Sequence, residues 1–143
     1  MDCFQWEFDL RLKQDGKCGL FFRLDAETHA GYYISLDLLK GVAQARDWGS
    51  GPAGSGEDMM QFRPLQSGYW RAAQDAAVRI NVVAFGSYIE LCVDDRVVLS
   101  LADQAYSSGR LGLYLESCTV ELTGTDLHPL TPAMQSDDQL ANG

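Results

Sequence analysis

The sequence predicts an all-β fold in which two antiparallel sheets pack face to face as a sandwich or jelly roll. Apolar and polar residues alternate along most of the chain, which is the two-residue period of a half-buried strand. No segment shows the apolar period of an amphipathic helix. Turn-forming residues recur about every eight to twelve residues, so the 143 residues hold roughly ten short strands.

The first half of the chain predicts four strands, each with one buried face. Residues 4–12 alternate aromatic and leucine side chains with polar ones, and a turn at 14–16 follows. Residues 20–24 and 32–38 repeat this pattern on either side of a loop at 25–31. A fourth strand around 42–48 follows the turn at 39–41. The alternating apolar rows of these strands are predicted to form half of the core.

The second half begins with GSGPAGSG at 49–56, which predicts a long loop within one domain. A weaker strand follows at 59–65, and Pro64 places it at a sheet edge. Further strands are predicted at 78–84, 88–93, 111–116 and 118–127, with one more between the turn at 94–95 and the loop before Gly109, and Leu111, Leu113 and Leu115 are expected to point inward. The sandwich therefore spans 1–130, and the polar, proline-bearing residues 131–143 are expected to be a disordered tail.

Charge and apolar content argue against two classes of partner. Eleven basic and 20 acidic residues give a net charge of -9. Because such a protein repels phosphate backbones, nucleic acid is not an expected partner. No apolar run is long enough to cross a membrane. No secretory leader opens the sequence, so we expect either a cytoplasmic protein or a module excised from a secreted one.

The cysteines, histidines and paired aspartates do not predict a cofactor. The four cysteines are far apart without a CxxC motif, and His29 and His128 are isolated, so a zinc site is not expected. Buried free thiols are the favoured interpretation of the cysteines, with disulfides as the alternative. Asp94 and Asp95 are interpreted as turn formers. Calcium, which needs about six to eight oxygen ligands, is the alternative there.

Five short segments carry a resemblance to a known family. They are GLFFR at 19–23, GYYI at 31–34, RINV at 79–82, YIELCVD at 88–94 and SGRLGLY at 108–114. Over residues 4–130 the chain resembles a concanavalin A-like β-sandwich. More narrowly, it resembles the C-terminal sandwich of fructan-cleaving glycoside hydrolases (levanases, invertases and inulinases) and the fructan-binding modules built on that domain. The resemblance implies a binding domain without catalysis, with a pocket for the terminal fructose of levan or inulin.

The polar faces of the strands predict where a sugar would bind. A sugar needs a flat apolar surface for its C–H face and charged groups for adjacent hydroxyls, which aromatic rings, carboxylates and guanidinium groups supply. The candidates on these faces are Arg23, Tyr33, Asn81, Tyr88, Glu90, Tyr114 and Glu116. Glu90 is the principal candidate, and we expect it to clamp sugar hydroxyls together with Arg23. A solvated face with cross-strand charge pairs is the alternative.

Four further candidates lie near loops. Arg46 and Trp48 precede the glycine-rich segment, and Trp48 is interpreted either as a stacking platform or as an anchor for that loop. Asp103 and Tyr106 lie in the loop before Gly109, where sandwich modules often keep the walls of a pocket.

The sequence does not predict an enzyme. Retaining glucanases on this fold carry Glu-x-Asp-x-x-Glu along one strand, whereas Cys92 stands where the aspartate would follow Glu90. A Glu90–Glu116 pair from separate strands has no motif behind it, and no Ser-His-Asp arrangement is readable. We expect non-catalytic binding of an oligo- or polysaccharide, most simply a β-fructan. The alternatives are a structural or dimerisation sandwich attached to the catalytic domain of a glycoside hydrolase, and a protein-interaction module.

Overall fold

The computed structural model describes residues 2–14, 17–49, 61–72, 76–116 and 119–131. Ten strands account for most of this part of the chain. They are β1 (Phe4–Gln14), β2 (Lys17–Leu24), β3 (Gly31–Asp37), β4 (Val42–Gly49), β5 (Gln61–Tyr69), β6 (Val78–Phe85), β7 (Tyr88–Val93), β8 (Arg96–Ala102), β9 (Arg110–Glu116) and β10 (Thr119–Pro129). Within the described ranges no helix has the length and apolarity needed to cross a bilayer. The all-β prediction is confirmed.

The strands form two five-stranded antiparallel sheets. Sheet 1 has the order β10-β1-β6-β7-β8, and sheet 2 has the order β5-β4-β3-β2-β9. Pro64 lies in β5, an edge strand of sheet 2, as the sequence predicts. The predicted segments at 14–16 and 49–56 extend into residues outside the described ranges, and the predicted tail lies there except for Thr131.

The core lies between the two sheets and is built from the rows that period-two alternation predicts. Phe4, Phe8 and Leu10 of β1 are buried, and so are Leu20 and Phe22 of β2. The ring of Phe22 meets that of Phe4 edge to face across the sandwich, with centroids 5.9 Å apart. Such aromatic contacts add to the apolar burial that drives the sheets together.

The two open sides of the sandwich differ. On the β5–β8 side, the Gln66 side-chain amide donates to Ser100 O at 2.9 Å, and Gln66 Oε1 accepts from Ser100 N at 2.7 Å. The Gln66 amide thus hydrogen-bonds to the backbone N–H and C=O of Ser100 in the edge strand β8, as a neighbouring strand would. On the β9–β10 side, Leu115, Leu122 and Leu127 remain 50%, 40% and 38% exposed. Inward burial of Leu115 was the wrong prediction, because β9 is the last strand of its sheet.

The described cysteines are free thiols, and the paired aspartates form a turn. Cys3, Cys18 and Cys92 are free thiols, and Cys118 lies outside the described residues. Asp94 and Asp95 form the β7–β8 turn with φ of 51° and 67°, a left-handed conformation that aspartate tolerates. Asp94 Oδ1 accepts from the Arg79 amide at 2.8 Å.

Candidate functional site

Three aromatic rings pave the outer face of sheet 2, the face that points away from the core. Tyr33 of β3 lies between Phe21 of β2 and Tyr114 of β9, with ring centroids 6.2 Å and 5.9 Å away. Glycines in the neighbouring strands make room for the two flanking rings. We call Phe21, Tyr33 and Tyr114 the aromatic floor.

The position of each flanking ring follows from the strand register. Tyr114 is the cross-strand partner of Gly19, and a Cβ at position 19 would lie 2.5 Å from Tyr114 Cζ. Phe21 is likewise the partner of Gly112, where a Cβ would lie 2.8 Å from Phe21 Cζ. Both rings therefore extend over a neighbouring strand, in space that glycine leaves free.

Polar side chains border the aromatic floor. Gln44 and Arg46 stand on the outer row of β4, and Arg46 Nε donates to Gln44 Oε1 at 2.9 Å. Glu116 follows Tyr114 by two residues on β9. Gln44, Arg46, Tyr33, Tyr114 and Glu116 line one depression of about 970 Å³. The depression thus combines aromatic rings with a guanidinium, an amide and a carboxylate.

The charges around this depression balance although the protein as a whole is strongly acidic. Its basic side chains are Lys40 and Arg46, and its acidic ones are Asp37 and Glu116. The whole chain carries a net charge of -9. A locally neutral site in an acidic protein suits an uncharged ligand better than an anion or a cation.

Burial shifts the titration of the floor tyrosines. It raises the pKa of Tyr114 to about 12, with Arg46 opposing the shift and Glu116 adding a little to it. Burial also raises the pKa of Tyr33. Both phenols are therefore neutral at any physiological pH and keep their O–H as a donor.

The Tyr114 shift predicts a loss of stability at high pH. Because the pKa rises from 10.0 to about 12 on folding, the folded state holds the proton more tightly than the unfolded state. The resulting stabilisation is complete below pH 10 and is lost as the pH rises through about 12. Urea unfolding should therefore show a smaller loss of stability over this range for Tyr114→Phe, which has no phenol, than for the wild type. Equal losses would contradict the assignment.

The structure brings together five of the residues that the sequence nominates. Tyr33, Tyr114, Glu116 and Arg46 line the depression on the outer face of sheet 2, and the buried Leu36 and, from sheet 1, Leu12 line it where it reaches the end of the sandwich. Trp48 continues the outer row of β4 beyond Arg46. Sequence reasoning did not name Phe21 or Gln44 as site residues. Gln44 could have been predicted, because it precedes the candidate Arg46 by two residues and therefore shares its face of the strand.

Three other nominated residues lie on the outer face of sheet 1, on the opposite side of the sandwich. Glu90 accepts hydrogen bonds from Tyr88 OH at 2.6 Å and from Cys92 Sγ at 3.5 Å. Asn81 Oδ1 accepts from Gln5 Nε2 at 3.3 Å. Glu90 and Glu116 therefore face away from each other, so they cannot act as a catalytic pair.

Arg23 is buried, and the predicted Arg23–Glu90 clamp is wrong. Arg23 is 2% exposed, and its guanidinium donates to Asp2 O at 2.9 Å and to Tyr106 O at 3.2 Å. It lies in sheet 2, whereas Glu90 lies in sheet 1. Two backbone carbonyls thus hold the group that was expected to hold a sugar.

Asp103 and Tyr106 lie at one end of the sandwich, in the loop after β8. Asp103 Oδ1 accepts from Tyr32 OH at 2.6 Å and from Ala105 N at 2.9 Å. Tyr106 OH donates to Trp48 O at 2.9 Å. Asp47 and Arg63, which sequence reasoning did not nominate, join them there through an ion pair.

Solved structures share this architecture at low sequence identity. The carbohydrate binding module CBM66 from Bacillus subtilis has a TM-score of 0.70 and 18% identity, over 90% of this chain and 76% of its own. A tetrameric galectin from the sponge Cinachyrella has a TM-score of 0.62 and 8% identity, over 89% and 92% of the two chains. Sheep galectin-11, solved with glycerol, has a TM-score of 0.60 and 10% identity, over 89% and 90%.

These similarities establish the fold. No protein-family model and no curated protein sequence matches the chain. The concanavalin A-like sandwich inferred from the sequence is confirmed as a galectin-like β-sandwich. The narrower resemblance to the C-terminal sandwich of fructan-cleaving hydrolases stays a prediction. The chain therefore has the sandwich fold shared by this carbohydrate binding module and by galectins.

Proposed function

We propose that this chain is a non-catalytic carbohydrate-binding module whose sugar binds on the outer face of sheet 2. The observation that carries the proposal is the aromatic floor bordered by Arg46, Gln44 and Glu116. Fold neighbours that are named as a carbohydrate binding module and as galectins support the same class of function. Because a fold hosts many functions, the site residues have to carry the argument.

The chemistry of the site matches the two surfaces of a sugar ring. The C–H face of the ring packs on Tyr33 and Tyr114, which present aromatic area with little conformational freedom to lose. Arg46, oriented by Gln44, donates to hydroxyl oxygens, and Glu116 accepts from hydroxyl protons. Since a sugar that lacks a matching hydroxyl would leave one of these groups unpaired, the site discriminates between sugars.

Two features support binding without hydrolysis. Glycosidases place two carboxyl groups on either side of the scissile bond, roughly 5 to 9.5 Å apart. In the depression, the acidic side chains are Asp37 and Glu116, and both are exposed. A lectin-type site needs no carboxyl group with a shifted pKa, because binding requires only ionised acceptors.

For the ligand we propose a β-fructan such as levan or inulin, recognised through a terminal or internal fructose. This choice rests on the sequence resemblance to fructan-binding sandwiches. The neutral balance of Lys40, Arg46, Asp37 and Glu116 supports an uncharged polysaccharide. A single site of this kind is expected to bind in the millimolar to micromolar range, roughly 4 to 8 kcal/mol.

Calorimetric titration with levan, inulin and fructose tests the proposal, with glucose and cellulose as controls. Arg46→Met keeps the length and apolar stem of the side chain and removes the guanidinium. We expect it to raise the dissociation constant at least tenfold. Glu90→Gln is the matched control, because Glu90 lies on the opposite sheet and its change should leave the affinity within twofold.

Two results would contradict the proposal. Heat that disappears in Glu90→Gln but persists in Arg46→Met would move the site to the outer face of sheet 1. An absence of heat with every sugar would favour an interaction module instead. In that case the exposed Leu115, Leu122 and Leu127 on the β9–β10 side would be the surface for a protein partner such as a catalytic domain.

A further inference from the structure

A cluster of charged side chains at one end of the sandwich is separate from the outer face of sheet 2. Asp47 of β4 and Arg63 of β5 are cross-strand partners, and Asp103 belongs to the loop after β8. Asp47 is buried on the inner face of β4. Its neighbours Arg46 and Trp48 stand on the outer face of the same strand. The cluster therefore opens toward the end of the sandwich and not onto the aromatic floor.

The carboxylates of Asp47 and Asp103 both have hydrogen-bond partners, but only part of the Arg63 guanidinium is hydrogen-bonded. Asp103 Oδ1 is fixed by Tyr32 OH and by Ala105 N. Arg63 Nε donates to Asp47 Oδ2 at 3.0 Å, and Nη2 pairs with Oδ2 of both aspartates. Within the described residues, Arg63 Nη1 and Asp47 Oδ1 make no hydrogen bond. A donor and an acceptor thus have no hydrogen-bond partner among the described residues.

The exposure of the three groups makes the cluster poorly suited to a purely structural role. The Asp47 and Asp103 side chains are 10% and 15% exposed, while the Arg63 side chain is 60% exposed. Two nearly buried negative charges share one largely solvated positive charge, so the desolvation of the carboxylates is incompletely compensated. An ion pair whose cation is exposed contributes little to stability.

An aromatic wall completes the cluster. Tyr106 packs edge to face on Tyr32 with centroids 5.3 Å apart, and its hydroxyl is fixed on Trp48 O. Burial raises the pKa of Tyr106, and Asp47 and Asp103 add to the shift while Arg63 opposes it, so the phenol lies near all three charges. Gly49 leaves the space that this hydroxyl fills.

We infer that Asp47, Arg63 and Asp103, with Tyr106 as a wall, form a second sugar-binding site that takes two adjacent hydroxyl groups of a neutral ring. The free edge of the Arg63 guanidinium donates to the hydroxyl oxygens, and Asp47 Oδ1 accepts one hydroxyl proton. The inference takes its ligand class from the proposed function, but it concerns a different place on the molecule. Two sites on one domain would let it hold two chain ends or cross-link a polysaccharide.

Nitrogen-15 NMR with fructose as the probe separates the two sites, because the Nε–H signals of Arg63 and Arg46 report on each of them independently. We expect the Arg63 signal to shift saturably with its own midpoint. The shift should persist in Tyr114→Ala, which damages only the aromatic floor. In Asp103→Asn, which keeps the acceptor for Tyr32 and Ala105 but removes the charge, the fructose concentration at the midpoint of the Arg63 shift should rise at least tenfold.

The outcomes decide the two proposals separately. An Arg63 signal that stays still while the Arg46 signal shifts would overturn the second site and leave the first intact. An Arg63 shift that is lost in Tyr114→Ala would also overturn it, because the two signals would then report one event. If both signals stay still at high fructose concentration, both proposals fail for this sugar. Should Asp103→Asn not fold, Arg63→Met at its exposed position repeats the test by calorimetry: it should remove one of two fructose-binding events and leave the midpoint of the Arg46 signal unchanged, and a number of sites equal to the wild type would overturn the second site.

Discussion

Gly19→Ala is expected to abolish sugar binding on the outer face of sheet 2 and to destabilise the fold at the same time. A Cβ at this position would lie 2.5 Å from Tyr114 Cζ and would contact the backbone oxygen of Ile34. The Tyr114 ring must therefore leave the floor, and the β2–β3 pair must also shift. Overpacking of this kind costs about 1 to 3 kcal/mol.

The measurements are the dissociation constant for levan or fructose and the urea midpoint. We expect the affinity to fall at least tenfold, because the ring that packs on the sugar is displaced. Gly86→Ala is the matched control: a Cβ there meets no atom within 4 Å, but the positive φ of 61° disfavours it, so it should lower stability and leave the affinity unchanged. A stable Gly19→Ala protein with unchanged affinity would show that the sugar does not rest on Tyr114.

Tyr114→Ala separates the two effects of the Gly19 change. It removes the same ring without touching the backbone of β2 or β3, so it should lose affinity while losing less stability than Gly19→Ala. In the double variant the Tyr114 clash is relieved, but the contact with the Ile34 oxygen remains. The two substitutions should therefore be non-additive in binding and partly additive in stability.

The core was predictable because period-two alternation depends on each strand alone. Phe4, Phe8, Leu20 and Ile34 alternate with polar residues in the sequence, and the same residues are buried in the structure. An alternating row fixes which side chains share a face of a strand. It needs no knowledge of which strands become neighbours.

Which of the two sheets carries each candidate residue was not predictable from the alternation within single strands. Tyr33 and Tyr88 both stand on the non-core side of an alternating strand, so their local patterns are equivalent. Strand order places β3 in sheet 2 and β7 in sheet 1, which puts the two tyrosines on opposite sides of the molecule. Only long-range pairing contains this information, and the residues of one strand do not specify it.

Arg23 was misplaced for a more local reason. Simple alternation puts its side chain on the outer face, between the inward Phe22 and Leu24. The pairing of β2 with β9 shifts register between Phe21 and Leu24, and Arg23 has φ of 52°. A bulge of this kind turns a side chain away from the face that alternation assigns to it.

Arg23→Met is therefore expected to destabilise the protein strongly and to leave the sugar affinity unchanged. The substitution keeps an apolar stem in the buried position but removes the donors to Asp2 O and Tyr106 O. Each carbonyl left without a partner in a buried environment costs about 1 to 3 kcal/mol. We expect a total loss of about 2 to 4 kcal/mol, read from the urea midpoint with an unchanged slope.

The affinity measurement distinguishes this structural role from the sugar clamp. Arg23 is 2% exposed and lies beneath the loop that carries Tyr106, away from the depression on the outer face. At the sheet 2 site, read from the Arg46 Nε–H signal, the folded fraction of Arg23→Met should bind fructose with a dissociation constant within twofold of the wild type. A variant of normal stability that no longer binds sugar would instead restore Arg23 to the site. Arg23→Lys, which keeps the charge but not the planar fork that reaches both carbonyls, should lie between the wild type and Arg23→Met in stability.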